Sequence, residues 1–480
     1  MRVMEQLFRV KPIHMLDADL ASESRLRRAL GPWALTSLGV GAIIGAGIFV
    51  LTGLAAHEYA GPALILSFVI AGLGCAFAAL CYAEFAAMIP VAGSAYTYAY
   101  ATLGELLAWI IGWDLILEYG MASATVAHGW SKYFLHLLEL FGLQLPVQIT
   151  SDPFSTPGAW FNLPAAAIVL LVTAVLVVGI KESATFNAAM VALKLGVILF
   201  VIGVGALYVD PSNWTPFFPF GWKGVAAGAA YVFFAYIGFD SVSTQAEEAR
   251  NPQRDVPIGI IASLAICTAL YIGVAAVLTG MVPYTEIDVE APLAAAFGRY
   301  GFHAAVLIIS VGAVAGITSV LLVLMLAQPR VFFAMARDGL LPEHFFGQVH
   351  PRFRTPHRST ILTGLVVATV AALLPIQTLA EMVNIGTLFA FVVVCAAVLI
   401  MRRTHPDRPR PFRTPLFPFV PILGILFNLG MMLSLGSHNW MRLAIWLAIG
   451  LAIYFTYSRH HSRLARHYAG RATQALGRSH

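Results

Sequence analysis

Four ionisable side chains stand inside long apolar runs of this sequence: Asp114, Glu118, Lys194 and Asp240. A charge at the centre of such a run costs about 2.5–3.5 kcal/mol on membrane-insertion scales, so a residue kept there either sits in a static buried ion pair or handles ions and polar ligands. Asp114 and Glu118 are four apart and share one face of a helix. Glu118 and Lys194 fall about 18 and 15 Å into their runs by helical rise, near the middle of a bilayer. Asp114 lies nearer one end, where it is expected to face a vestibule. A second kind of chemistry comes from backbone. The run Gly39–Val50 carries glycines at 39, 41, 45 and 47. Those glycines either form a close-packing face or mark an unwound stretch at residues 43–47. Unwinding there frees amides to hold an anion and carbonyls to hold a cation or ammonium. The stretch Phe233–Asp240 supplies a second break, with Gly238 as hinge candidate beside the intramembrane acid Asp240.

The elements that must position these groups follow from composition. The chain is 59% hydrophobic and 11% charged over 480 residues, far from the balance of soluble domains. Its apolar runs are continuous and about twenty residues long, which excludes a β-barrel of short alternating strands. Twelve runs are long enough to span a bilayer, and each must be helical because lipid cannot satisfy exposed backbone groups. They include Trp33–Thr52, Leu106–Phe134, Ala184–Tyr208, Val225–Ser243, Ala304–Ala327 and a short ninth run, Thr360–Leu374. With the N-terminus placed inside, 24 of the 29 lysines and arginines fall on the inner side and four on the outer, with Lys194 within a span. The positive-inside bias thus puts both termini in the cytoplasm of a multi-pass protein of the cytoplasmic membrane. The net charge of +5 is topological and does not predict a nucleic-acid partner. The four cysteines all lie in apolar runs and read as small buried hydrophobes.

No H-E-x-x-H, G-x-S-x-G or P-loop motif occurs, and nearly all histidines lie in loops or tails. An enzyme, a metal centre, a cofactor and ATP-driven transport within this chain are therefore not expected. A transport-dead sensor would not be expected to keep Glu118, Lys194 and Asp240. Interrupted spans at corresponding positions in two five-helix halves point to a transporter site between them.

At four motifs the sequence resembles the amino acid–polyamine–organocation transporter superfamily, and within it the bacterial form of the cationic amino acid transporter branch. They are Gly41–Phe49, Gly112–Tyr119, Phe233–Asp240 with Asn251–Pro257, and Gln328–Gly339. The resemblance covers about Pro32 to Met401 and implies an all-α LeuT-type fold of about twelve transmembrane helices. Its parts are a cytoplasmic N-terminal segment (1–31), two inverted five-helix repeats (32–209 and 224–401), helices 11 and 12 (402–457) and a basic cytoplasmic tail (458–480). It implies alternating-access transport of cationic and/or small neutral L-amino acids, as proton-coupled uptake or as exchange. By motif, the Ala46 and Gly47 amides would hold the substrate carboxylate. The carbonyls of Ile43, Phe234 and Ile237 would take its ammonium, with Ala235 alongside and Phe234 in the gate. Glu118 would lie near the substrate side chain. Lys194 would occupy the place of a sodium ion and, with Asp240, serve proton coupling. Gly45, Gly47 and Gly238 would break the helices. The implied partners are the amino acid, protons and membrane lipid, and a small membrane subunit is left open. Two departures stand out. Ala46 replaces a serine or threonine common in relatives, and bulky Leu324 stands where a pocket-lining residue is expected, which would restrict long cationic substrates.

Overall fold

The computed structural model describes residues 6–12, 30–89, 94–179, 184–353 and 355–468. Of the expected N-terminal segment and basic tail, residues 1–5, 13–29 and 469–480 thus lie outside it. Among the described residues, eight helical stretches are long and apolar enough to cross a membrane, and four more apolar helices run for 12 to 17 residues. The twelve apolar segments of the sequence become α1 (Pro32–Ile43), α2 (Leu64–Met88), α3 (Glu105–Leu140), α4 (Leu163–Val178), α5 (Ala184–Gly205) and α6 (Gly221–Val232). They continue with α7 (Pro252–Met281), α8 (His303–Arg337), α9 (His357–Leu373), α10 (Ile376–Thr404), α11 (Phe419–Ser434) and α12 (Ser437–Ile453).

Local chemistry sets many of the ends. Asn162 caps α4 by accepting the Ala165 amide, and Gly179, at φ 91°, stops it. α7 opens on Pro252, where a missing N–H costs nothing. α8 runs ten residues beyond its apolar run, through Pro329, and ends at Arg337 within the Gln328–Gly339 motif. Two short helices were not anticipated: Ser94–Thr102 between α2 and α3, and Pro292–Gly298 before α8.

Both breaks are present. α1 stops at Ile43, Ile44 is extended at ψ 103°, and the chain restarts as a π-helix over Gly47–Leu51 that leads, through Gly61, into α2. The non-helical stretch is only Ile44–Gly45, narrower than residues 43–47. α6 stops at Val232 and passes through a 3₁₀ turn, Phe233–Tyr236, to Gly238 at φ 120° and a second 3₁₀ helix, Phe239–Glu248. A side chain at 238 would be strained by that φ and would come 2.9 Å from the Ala42 carbonyl. The broken elements pack on one another. A Cβ on Gly47 would overlap Ala235, and Leu30 pairs with Ala249 in a parallel bridge. Lipid provides no hydrophobic drive for helix association, so such close small-residue contacts carry the packing.

One end of the bundle gathers the cations; we call it the basic face. There Lys11 Nζ meets Asp338 at 2.6 Å, Tyr96 donates to the same carboxylate, and the Arg463 amide donates to the Asp338 carbonyl. Described parts of both chain ends therefore meet on this face, beside the end of α8.

Candidate functional site

Between the two breaks lies a small cavity of about 10 Å³, room for one water-sized sphere. Its walls come from the α1 break (Ala42, Ile43 and Gly45 to Gly47) and the α6 break (Phe234 and Ile237). α3 adds Ala122 and Val126, and α8 adds Val320 and Leu324. Every lining side chain is apolar, so polarity here belongs to backbone. Ala46 caps the restarted helix, and the leading amides of a helix have no partner within it. On the other side the Phe234 carbonyl accepts the Ile237 amide at 3.2 Å.

Tyr271 on α7 ties the two breaks together. Its hydroxyl lies 2.8 Å from the Ala235 carbonyl and 3.1 Å from that of Ile43. Sequence reading missed this residue because a tyrosine within an apolar run has no spacing that marks it.

The structure separates the expected site residues into three groups. Ile43, Gly45, Ala46, Gly47, Phe234 and Ile237 line the cavity together. Ala235 backs it, pressed against Gly47. Glu118 stands outside its walls. The α3 residues that reach the cavity are Ala122 and Val126, one and two turns farther from the basic face, and Glu118 points instead toward Asp240 and Thr387 of α10. Glu118 is 2% exposed and its Oε1 has no hydrogen-bond partner. Asp240, past the α6 break, accepts the Tyr119 hydroxyl at 3.1 Å. Asp114 does not face a vestibule: it is fully buried.

Lys194 forms the third group. It is fully buried on α5 and its Nζ donates to the Gly41 carbonyl at 2.6 Å, within the last turn of α1. Gly316 of α8 leaves room for it; a Cβ there would lie 3.1 Å from Lys194 Cγ. The ammonium thus sits where α1, α5 and α8 meet.

The amino acid permease family profile matches residues 30–454. The chain belongs to the amino acid permease family. The permease is 53% identical to the methylthioribose transporter of Bacillus subtilis, over 96% of this chain and 100% of that one. It is 50% identical to the branched-chain amino acid permease of the same organism, over 95% and 99%. It is also 41% identical to a vacuolar cationic amino acid transporter of Arabidopsis thaliana, over 83% of this chain and 67% of that one. The permease is accordingly a multi-pass membrane transporter and not an enzyme.

Proposed function

We propose that the permease carries neutral amino acids with apolar side chains into the cell by alternating access, driven by protons. The observation that supports the substrate class is the wholly apolar lining of the cavity, with Glu118 outside it. An arginine or lysine side chain would have to leave water with no acid at the wall, a cost that a branched aliphatic chain does not meet. Helix-head amides at Ala46 and Gly47 suit an α-carboxylate, and the carbonyls of Ile43, Phe234 and Ile237 suit an α-ammonium. The 50% identical relative is named for branched-chain amino acids, which agrees with this lining. The basic face is the cytoplasmic one by the positive-inside bias. Lys194, buried at the α1–α5–α8 junction, supports the coupling role given to it. Its ammonium tethers α5 to α1 through Gly41, and loss of its proton would release that tether.

A second reading rests on the 53% identical relative, named for methylthioribose, a neutral solute. Proteoliposome uptake separates the two. Labelled leucine, isoleucine, valine, alanine, arginine and methylthioribose are offered with and without an inward pH gradient. Aliphatic amino acids should be accumulated on the gradient and compete with one another. Uptake of methylthioribose in preference to all of them, or equal competition by amines lacking a carboxylate, refutes recognition through the substrate's α-carboxylate and α-ammonium.

A further inference from the structure

Asp114 is a buried acid that the mechanism above leaves unused. It is 0% exposed, and neither carboxylate oxygen has a hydrogen-bond partner. α10 faces it with Gly386, where a Cβ would come 2.8 Å from Asp114 Oδ1. The missing side chain of that glycine is the space in which the carboxyl sits. On its own helix the nearest titratable group is Glu118, about 6 Å farther from the cytoplasmic face by helical rise. The Oε1 of Glu118 also lacks a partner, and its charged neighbours are Asp240 and Asp114. From the segment after α6, Asp240 is held by Tyr119, and from α2 Tyr82 adjoins Asp240 and Glu118. α8 offers Gln328, whose amide is engaged by the Ile116 carbonyl, and α10 offers Thr387. Tyr96, from the short helix before α3, is bound to Asp338. Among the described residues, no lysine or arginine offsets a charge at Asp114.

A carboxylate deep in a bilayer protein, with neither donor nor counter-ion, gives way to its neutral acid. Asp114 can therefore be an anion only when water reaches it. We propose that Asp114 is the last protein group to hold the transported proton before the cytoplasm, which rests on the proton-driven reading above. With α3, α8 and α10 packed around it, the carboxyl keeps its O–H. When the cytoplasmic side opens, that bond breaks and the proton passes to a vestibule water, leaving the carboxylate solvated. On closing, the carboxylate takes a proton from the Glu118 carboxyl, which is refilled from the outer side by way of Asp240.

The test is infrared spectroscopy of the full chain in nanodiscs, where a protonated carboxylic acid shows a C=O stretch distinct from carboxylate and sensitive to deuterium exchange. Asp114→Asn should remove one such band, Glu118→Gln should leave that band in place, and Asp114→Glu should restore it at a shifted frequency. In proteoliposomes each coupled proton is worth about tenfold in accumulation per unit of pH gradient, and Asp114→Asn should lose that factor. Should Asp114→Asn fail to fold, Gly386→Ala, which crowds the carboxyl, must shift the same band. A band that persists unchanged in Asp114→Asn, or is indifferent to Gly386→Ala, overturns the proposal alone. Wild-type protein that shows no pH-driven accumulation overturns proton coupling and, with it, the role given to Asp114.

Discussion

Replacing Tyr271 with phenylalanine removes one oxygen and keeps the ring, which packs against Phe68 and Tyr236 at centroid distances of 5.6 and 5.3 Å. A hydroxyl has a single proton to donate, so the Ala235 and Ile43 carbonyls share it, with the 2.8 Å contact to Ala235 the stronger. A net hydrogen bond contributes about 0.5–1.5 kcal/mol, whereas a buried acceptor left without one costs about 1–3 kcal/mol. Tyr271→Phe leaves both carbonyls in place and buried, so the larger figure applies. At about 1.36 kcal/mol per tenfold, that range converts to roughly 5-fold to 150-fold. The perturbation falls on the geometry that holds the two breaks together, so substrate affinity should weaken by about tenfold, inside that range. Equilibrium binding of labelled leucine to purified protein reads the affinity, and thermal unfolding in detergent reads the tether. Unchanged affinity together with an unchanged midpoint would show that the two carbonyls do not depend on Tyr271, and the reasoning would fail.

Leu324→Ala enlarges the cavity beside Val320; larger substrates such as phenylalanine or methionine should then inhibit leucine uptake several-fold better, measured by competition. Lys194→Met keeps side-chain length and loses the bond to Gly41; it should abolish accumulation on a pH gradient while leaving measurable substrate binding, and continued accumulation would make Lys194 a structural counter-ion only. In the loop between α3 and α4, burial of Asp152 acts to raise its carboxyl, but the His128 ring 3.5 Å away and the hydrogen bond donated by the Ser155 amide outweigh it and hold the group down to about 2. Stability from that group is therefore fully present above the ordinary carboxylate range and is lost as pH falls from about 4 toward 2. Asp152→Asn should flatten the acid limb of a thermal-unfolding profile over that window.

The membrane class and the number of helices followed from composition, because an apolar run of bilayer length has only one way to satisfy its backbone in lipid. The two breaks were also legible. Gly45 and Gly238 lie at the breaks, and Gly238 takes a positive φ that other residues resist, whereas Gly47, also read as a break, lies within the restarted helix and packs closely on Ala235. Nothing in spacing alone brings residue 194 to residue 41, and only the packed chain sets Lys194 against the glycine run of α1. Tertiary structure decided what faces the cavity. Glu118 and Ala122 are one turn apart on the same helix, so the sequence could not say which of them the α1 and α6 breaks would meet; packing of α3 against α8 and α10 turned the acid away and the alanine inward. It also decided the surroundings of Asp114, which looked solvated from its position near a helix end. There the enclosing wall is Gly386, 272 positions away. The tie of Tyr271 to Ile43 and Ala235 is of the same kind. Periodicity fixes which side of a helix is apolar, but in a bundle apolar on nearly every side it carries no record of which neighbour each side meets, and only the packed chain supplies it.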